Sequence, residues 1–383
     1  ILQSQAELNN IGILDFREDF MERRKFLGAA AAATTGAALA SPSIAGGHGK
    51  TMTIVSSWGR DFPGLGTSAQ RLAARITELS EGAITTEYFA GGERVGAFDV
   101  FDEVASGNSQ GYISADYYWR GTHPGFAFFT AVPMGMNSAE WNAWIKFGGG
   151  QELWDKISGE YGLKAMPAGS TGCQAGGWFN KEINSADDLA GLKMRIPGLG
   201  GTVMSKLGAS PISVPGSQIY ENLVSGAIDA AEWVGPWNDY FLKFYEAAKF
   251  YYTAGMHEPG SNLCLSMNAS WWGSLSDHEK NIITAASAEE NGFQYMETMA
   301  NNGEYLTKLV EEQGVQVRNF NEDVWDSFGE AAEEVFEETR DHSALAAEIN
   351  DAYQKAMREI GGMNALFETN YINQRNRLLG IEV

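Results

Sequence analysis

Cysteine and histidine are scarce in this 383-residue sequence, which contains two of the former and five of the latter. The histidines show no zinc-ligand spacing, which argues against a zinc enzyme. Basic residues are also few: 27 Lys and Arg stand against 49 Asp and Glu, and the formal net charge is -22. Such an acidic surface repels phosphate backbones, so nucleic acid is excluded as a partner, and an anionic ligand needs a local positive group.

Long hydrophobic runs are absent as well, and residues 21–45 are better explained as an export signal. This segment opens with Met21, carries Arg23 and Arg24, continues as an Ala/Gly/Thr-rich stretch and ends in small residues. That order predicts a twin-arginine signal peptide and a periplasmic location. The alternative is a membrane anchor, but roughly fifteen Ala-rich residues are too short and too weakly apolar to span ~30 Å of hydrocarbon. Residues 1–20 are interpreted as upstream sequence without structural meaning.

The two cysteines, Cys173 and Cys264, lie far apart in the sequence. An oxidising compartment would permit a disulfide between them. Two buried thiols fit the sequence equally well, because cysteine is among the most buried residue types. The sequence therefore leaves the pairing open.

Strand and helix patterns alternate along the chain after the signal. Strands are predicted at 52–56, 83–88 and 111–115, with helices at 72–79 and 97–105 between them. Alternating β-α-β-α-β order is typical of an open α/β sheet. The length and the 44% hydrophobic content allow two cores of ordinary size, which predicts two lobes.

A helix-Ser-Gly-strand pattern at 101–107 recurs at 220–226. Each copy leads into a short strand that ends in aromatic residues, namely Tyr117 and Tyr118 in the first copy and Trp233 and Trp237 in the second. Ligands of open α/β sheets bind beyond the carboxyl ends of the strands, so these clusters are predicted to face each other across a ligand. The later stretch 323–359 predicts a long amphipathic helix, broken near 341–343, that braces both lobes or mediates dimer contacts.

Residues 169–268 resemble the solute-binding subunits of tripartite ATP-independent periplasmic (TRAP) transporters, the family-seven extracellular solute-binding proteins. The resemblance is carried by 172–179, 192–198 and 225–233, and it extends over the chain from about Met52. Gln174 and the pair Glu232-Trp233 resemble the subgroup that binds 2-oxo and 2-hydroxy monocarboxylates together with a metal cation.

The resemblance implies a two-lobe periplasmic-binding-protein fold (type II-like) of the α/β class, with crossing hinge strands and a long C-terminal helical region. It assigns 50–168 and 260–320 to lobe I, 169–259 to lobe II and 321–383 to the long helices. The implied function is that of a receptor, not an enzyme, which hands a small organic acid such as pyruvate or lactate to a sodium-driven membrane permease. A homodimer is compatible with this assignment.

The resemblance also implies the roles of the site residues. Arg195 would pair the ligand carboxylate, and Na⁺ or Ca²⁺ would be held by Gln174, Glu232 and the carbonyl of Trp233. The chemistry agrees, because a mid-strand arginine offers a planar fork for a carboxylate, and oxygen ligands suit hard cations. Two plainer interpretations remain open: Arg195 as a surface ion pair and Glu232 as a solvated carboxylate.

An exported NAD(P)-dependent oxidoreductase is the alternative function. Its support is a glycine-rich stretch at 64–69 that follows a strand, opens a helix and imitates a dinucleotide fingerprint. A Gly-x-Ser-x-Gly match at 107–111 suggests a hydrolase, but a nucleophile elbow needs a strand before it and a helix after it. The sequence predicts the reverse order here.

Overall fold

The computed structural model of the protein describes residues 49–381, so the interpretations of residues 1–20 and 21–45 lie outside the described residues. Between 49 and 381, none of the helices combines the length and the apolar character that a membrane-spanning segment needs. The strands are β1 (Lys50–Ser56), β2 (Ile84–Phe89), β3 (Gly111–Ser114), β4 (Leu163–Gly172), β5 (Gly177–Phe179), β6 (Lys193–Arg195), β7 (Ser210–Ile212), β8 (Ala230–Ala231), β9 (Phe250–Tyr252), β10 (Ser261–Asn268) and β11 (Gln316–Arg318).

The α-helices vary widely in length. They are α1 (Leu65–Leu79), α2 (Val100–Ala105), α3 (Ser138–Phe147), α4 (Gly150–Glu160), α5 (Gly198–Lys206), α6 (Gly216–Val224), α7 (Pro236–Phe241), α8 (Phe244–Ala247), α9 (Ala269–Gly273), α10 (Asp277–Glu311), α11 (Glu322–Asp341), α12 (Ala344–Ala356), α13 (Gly362–Asn364) and α14 (Asn370–Leu379). Short 3₁₀ helices span Asp116–Trp119, Pro124–Phe129 and Ala186–Leu189, and π-helical turns at Met357–Gly361 and Ala365–Thr369 join α12, α13 and α14.

Two sheets organise these elements, and we call the parts built on them the first and the second lobe. The first sheet has the order β2-β1-β3-β10-β4, and the second has the order β11-β9-β5-β8-β6-β7. In the first, β1 is parallel to β2 and β3, whereas β10 is antiparallel to β3 and β4. The predicted β-α-β-α-β order is confirmed as β1-α1-β2-α2-β3, because Ile54, Leu72 and Ile84 bury apolar faces in one core.

The chain crosses between the sheets after β4, after β9 and after α10. The predicted crossing strands are thus β4, which runs on to β5, and β10, which follows β9. The range 260–320, which the resemblance assigned to lobe I, contains β11, and β11 pairs with β9 of the second sheet. A three-residue strand carries little periodic signal, so its sheet is decided by the long-range pairing.

Long helices connect the two lobes. α10 packs on β4 and α1 of the first lobe and on α7 of the second. The predicted break in the C-terminal helical region is confirmed, since α11 ends at Asp341 and the Ser343 side chain caps α12 by accepting from the Ala346 N–H. α11 packs on α5 of the second lobe, and α12 packs on the 3₁₀ helix at Pro124–Phe129 of the first.

The motifs that suggested an enzyme have other roles here. α2 precedes the Gly-x-Ser-x-Gly match and β3 follows it, which is the reverse of a nucleophile elbow. Gly64 lies in the left-handed region at φ 73° and starts α1, where a Cβ would lie 2.9 Å from the Trp237 ring. Both cysteines are free thiols, with Cys173 exposed and Cys264 buried.

Candidate functional site

The candidate site lies where the carboxyl ends of β6 and β8 meet the crossings between the sheets. β6 and β8 are parallel, with Arg195 opposite Ala231, so Arg195 and Glu232 leave the same edge of the second sheet. The expectation that Arg195 lies mid-strand is wrong: it is the last residue of β6, because the chain turns there into α5. The edge position brings its side chain into the cleft.

Arg195 is buried, and two of its three guanidinium nitrogens donate hydrogen bonds to the second lobe. Its Nη1 donates to the Glu232 carboxylate and, at 3.0 Å, to the Glu232 backbone carbonyl, while its Nε donates to the Val214 carbonyl at 3.2 Å. Its Nη2 is buried without a hydrogen-bond partner among residues 49–381. Burial by itself would lower the pKa of Arg195, but attraction to Glu232 outweighs it and the pKa is raised. Arg195 therefore stays charged and keeps its Nη2 NH₂ group for a ligand.

Glu232 belongs to a buried cluster that the sequence analysis missed in part. Its Oε2 lies 3.1 Å from Nε2 of His257, and oxygen or nitrogen atoms of Glu232, His257 and Glu258 lie within 4.8 Å of one another. Burial would lower the pKa of His257, but attraction to Glu232 raises it. Burial and then repulsion from Glu232 raise the pKa of Glu258 to about 7. Arg195 and Glu232 are 1% and 0% exposed, so the surface-pair and solvated-carboxylate interpretations are wrong.

His257 and Glu258 enter the site through the crossing from β9 to β10. This crossing is hydrogen-bonded to the crossing from β4 to β5: the Gln174 N–H donates to the Glu258 carbonyl at 3.0 Å, and the Gly255 N–H donates to the Gln174 carbonyl at 2.7 Å. The available sequence signal was two adjacent titratable residues after a strand and before Pro259. That signal indicates a loop, but it does not show that the loop lies beside the crossing from β4 to β5.

Oxygen atoms without partners surround the cluster. Gln174 donates from Nε2 to Thr171 Oγ1 at 3.0 Å, and its Oε1 is buried with no partner in the described range, as is Oε2 of Glu258. The Trp233 carbonyl likewise accepts no hydrogen bond from residues 49–381. An amide oxygen, carboxylates and a carbonyl form a donor set that fits Na⁺ or Ca²⁺. Unpartnered buried acceptors are costly, which agrees with an electropositive ligand for them.

A small cavity of about 10 Å³ lies between the lobes at this point. Its lining residues come from both lobes and are Trp58, Leu65, Ala115, Tyr117, Tyr118, Thr171, Gln174, Trp233, Val234, Ser261 and Leu263. Tyr117, Tyr118 and Trp233 therefore meet as the sequence analysis expected. Trp237 is not a lining residue; its ring lies against Gly64, and its backbone N–H donates to Asn302 Oδ1 at 3.1 Å.

Comparison with known proteins places the chain among transport receptors. A family model described as bacterial extracellular solute-binding protein, family 7, matches residues 56–342. The chain is 37% identical over 360 residues to a monocarboxylate 2-oxoacid-binding periplasmic protein of Nostoc sp., over 92% of this chain and 98% of that protein.

Solved structures with the same fold include two with bound pyruvate. A TRAP periplasmic solute-binding protein from Pseudoalteromonas atlantica, with sodium and pyruvate, has a TM-score of 0.82 and 35% identity, covering 85% of this chain and 99% of that one. A TRAP periplasmic protein from Colwellia psychrerythraea, with calcium and pyruvate, has a TM-score of 0.83 and 37% identity over the same shares of the chains. A Bordetella bronchiseptica TRAP protein, a dimer with calcium and picolinate, has a TM-score of 0.85 and 30% identity, over 87% and 98%.

Proposed function

Because this chain belongs to family 7 of the bacterial extracellular solute-binding proteins and is the receptor of a TRAP transporter, we propose that it binds a 2-oxo or 2-hydroxy monocarboxylate together with Na⁺ or Ca²⁺. The observation that carries the proposal is the buried Arg195, whose Nη2 NH₂ group has no partner, together with the unpartnered buried oxygens of Gln174 and Glu258. The acid would leave the protein chemically unchanged, so we assign binding without catalysis. The oxidoreductase alternative receives no support from the comparisons.

The site residues divide into two groups in this proposal. Arg195 binds the acid carboxylate, while Gln174, Glu232 and the Trp233 carbonyl hold the cation. Tyr117 and Tyr118 contact the acid from the first lobe. Trp237 does not contact the acid but packs against Gly64, where the two lobes meet. When bound, the cation supplies positive charge between the acid and Glu232, which removes the repulsion between two carboxylates in a poorly solvated cleft.

The cellular role follows from the family. Family-seven receptors are extracellular, and we propose that this protein works in the periplasm, reaches it by a twin-arginine signal within residues 21–45, and delivers its acid to the membrane permease of the transporter. We also propose that the lobes divide at the crossings near 169 and 259, with 321–383 as bracing helices. Replacing Arg23 and Arg24 by lysine and following export of the full chain tests the signal.

The direct test of function is a thermal-shift and calorimetric screen of the mature protein against organic acids, with and without Na⁺ and Ca²⁺. A ligand that binds only the folded state raises the melting temperature, because it increases the free energy of unfolding by ≈ 2.7 kcal/mol at a hundredfold excess over Kd. Pyruvate, lactate and branched 2-oxo acids should stabilise the protein when a cation is present. Dicarboxylates or amines that stabilise it more strongly than every monocarboxylate would contradict the proposed ligand class.

Closure of the two lobes on the acid gives a further prediction at Gly64. A Cβ at this position would lie 2.9 Å from the Trp237 ring and 3.2 Å from Nδ2 of Asn238, both in the second lobe. Gly64→Ala should therefore weaken acid binding by about tenfold, since overpacking costs ~1–3 kcal/mol. Scattering should show less compaction of the variant at saturating acid.

Gly82→Ala is the matched control. Gly82 also has positive φ, at 81°, and its Cβ would meet nothing within 4 Å. Both variants place alanine at positive φ, so both should lose stability, but Gly82→Ala should bind acid as the wild type does. Equal acid affinity in the two variants would rule out a lobe contact at Gly64 that is needed for binding.

We propose that the exposed C-terminal helices mediate a homodimer. No residue from 357 to 379 is buried, and Leu366, Phe367 and Leu378 are 72%, 67% and 70% exposed. An apolar surface of this kind is typical of a protein interface, and the Bordetella bronchiseptica relative is a dimer. Phe367→Glu should shift the mass measured by light scattering from dimer to monomer. Val224→Glu, on an exposed residue of α6, should not; a monomeric wild type would contradict the proposal.

A further inference from the structure

Asp239 is a fully buried carboxylate beneath the loop that carries Glu232 and Trp233. Its Oδ2 accepts hydrogen bonds from Trp178 Nε1 at 2.9 Å and from the Tyr251 hydroxyl at 3.1 Å. Its Oδ1 accepts the backbone N–H groups of Val234 and Gly235, both at 3.2 Å. One oxygen is thus anchored in the core of the second lobe, and the other holds the loop.

The Val234 N–H and the Trp233 carbonyl belong to the same peptide unit. No cis peptide bond occurs in residues 49–381, and a planar trans peptide points its N–H and its C=O in opposite directions. Because the N–H points at Asp239, the carbonyl of Trp233 points away from Asp239. Trp233 and Val234 both line the cavity of the candidate site, and Asp239 is not among its lining residues.

A second hydrogen bond keeps this segment in place. The Val234 carbonyl accepts the Ala175 N–H at 3.0 Å, which ties the loop to the crossing that carries Gln174. The peptide of Trp233 is therefore held from one side by a carboxylate and continues into a segment bonded to a neighbouring cation ligand. A negative charge on the N–H side also polarises the peptide and increases the electron density on its carbonyl oxygen.

We propose that Asp239 is a positioning residue for the bound cation: it orients the Trp233–Val234 peptide and strengthens the Trp233 carbonyl as a ligand. This inference rests on the proposed function, because it requires a cation at that carbonyl. Outer partners that orient metal ligands commonly affect metal affinity by about 10–100-fold.

Asp116 in the first lobe shows what a purely structural version of this arrangement looks like. It accepts hydrogen bonds from Trp154 Nε1 at 2.8 Å, from the Tyr112 hydroxyl at 3.1 Å and from the Cys264 thiol at 3.0 Å. All the hydrogen bonds that it accepts within residues 49–381 come from side chains. A tryptophan and a tyrosine on a buried aspartate thus occur in both lobes, whereas the contact with two loop amides is particular to Asp239.

The test compares Asp239→Asn with Tyr251→Phe in the mature protein. Burial raises the pKa of Asp239 to about 7, so the comparison is made at pH 8, where the wild type carries the charge that asparagine lacks. Tyr251→Phe removes a hydrogen bond from the far oxygen of the same carboxylate and leaves the loop contacts. Calcium affinity is measured by calorimetry in saturating pyruvate, and pyruvate affinity is measured across a range of calcium concentrations.

Asp239→Asn should weaken calcium binding by on the order of tenfold, whereas Tyr251→Phe should stay within about twofold of the wild type. Raising the calcium concentration should restore pyruvate affinity in Asp239→Asn, which a merely loosened lobe would not allow. Equal calcium affinities in the two variants would overturn the inference while leaving the proposed function intact. A wild type that binds neither calcium nor pyruvate would overturn both.

A second variant keeps the test decisive if Asp239→Asn does not fold. Asparagine has only one acceptor oxygen. If that oxygen faces the loop amides, the NH₂ group of the side chain faces the Trp178 N–H, and two donors then oppose each other. Asp239→Asn combined with Trp178→Phe removes that conflict, and Trp178→Phe alone is then the control. The phenyl ring can retain the stacking on Tyr251, where the ring centroids are now 4.3 Å apart. The expected difference in calcium affinity between this pair of variants is the same tenfold.

Discussion

Replacing Arg195 with lysine should abolish tight acid binding while the protein stays folded. Arg195 spends Nη1 and Nε on Glu232 and on the Val214 carbonyl and presents Nη2 without a partner. A lysine ammonium is a point charge that cannot hold these protein contacts and also donate from a separate nitrogen to the acid carboxylate. The loss should be about 2–5 kcal/mol, or roughly 30-fold to several thousandfold in pyruvate affinity by calorimetry.

Arg318→Lys is the control for the substitution itself. Arg318 lies in β11 of the same lobe and pairs with Glu182 at 2.6 Å, outside the lining of the candidate site. This variant should bind pyruvate as the wild type does, and circular dichroism should show both variants folded. Pyruvate affinity of Arg195→Lys within about threefold of the wild type would contradict the role of Arg195, because losing a hydrogen bond to a charged group costs more than ~1 kcal/mol.

The cation and the acid should bind interdependently. Glu232 is fully buried and takes its positive partner from Arg195, the group that the acid carboxylate also needs. When the acid competes for Arg195, Glu232 requires another cation, since an unpaired buried charge is costly. Na⁺ or Ca²⁺ should therefore raise pyruvate affinity, and pyruvate should raise cation affinity by the same factor, by about 1–3 kcal/mol or 5–150-fold.

Glu232→Gln should weaken cation binding and abolish its coupling to acid binding. Acid binding should be partly retained, because the repulsion between the two carboxylates is removed with the charge. Affinities are compared in chelator-treated buffer and in buffers with Na⁺ or Ca²⁺ at matched ionic strength, so that screening is constant. Glu290→Gln is the control: Glu290 is 5% exposed and pairs with Arg71 at 2.6 Å in the first lobe, and the coupling should survive there. Equal pyruvate affinity in all three buffers would contradict the assignment of Gln174, Glu232 and the Trp233 carbonyl as cation ligands.

Much of the fold was predictable because its signals are local. The strands and helices of β1-α1-β2-α2-β3 follow from alternating and helical apolar spacing, and the break before Ser343 follows from its capping side chain. The family resemblance is confirmed by the match over residues 56–342 and by the relatives with bound pyruvate. β11 was assigned to the other lobe because three residues without periodicity say nothing about their partner strand.

The candidate site was predictable in part from a residue type and in part from the family resemblance. A guanidinium is always charged and suits a carboxylate, which identifies Arg195, whereas Gln174 and Glu232 were identified as cation ligands through the resemblance. Trp237 is the same residue type as Trp233, but it lies in the first turn of α7, which places its ring against Gly64 and away from the cavity. The sequence pattern does not distinguish these two tryptophans, because the direction in which the backbone leaves β8 decides which of them reaches the cavity.

The sequence by itself determined the class of the fold, the acidic surface and the need for a buried positive group, because periodicity, charge and side-chain chemistry are properties of short segments. Only the tertiary structure decided which segments meet. Gln174 and Glu258 are neighbours because two crossings hydrogen-bond to each other. Arg195 and Glu232 are paired because parallel strands place their carboxyl ends at one edge. Both are long-range backbone pairings, and their free energy depends on the whole packed lobe and not on the residues that they bring together.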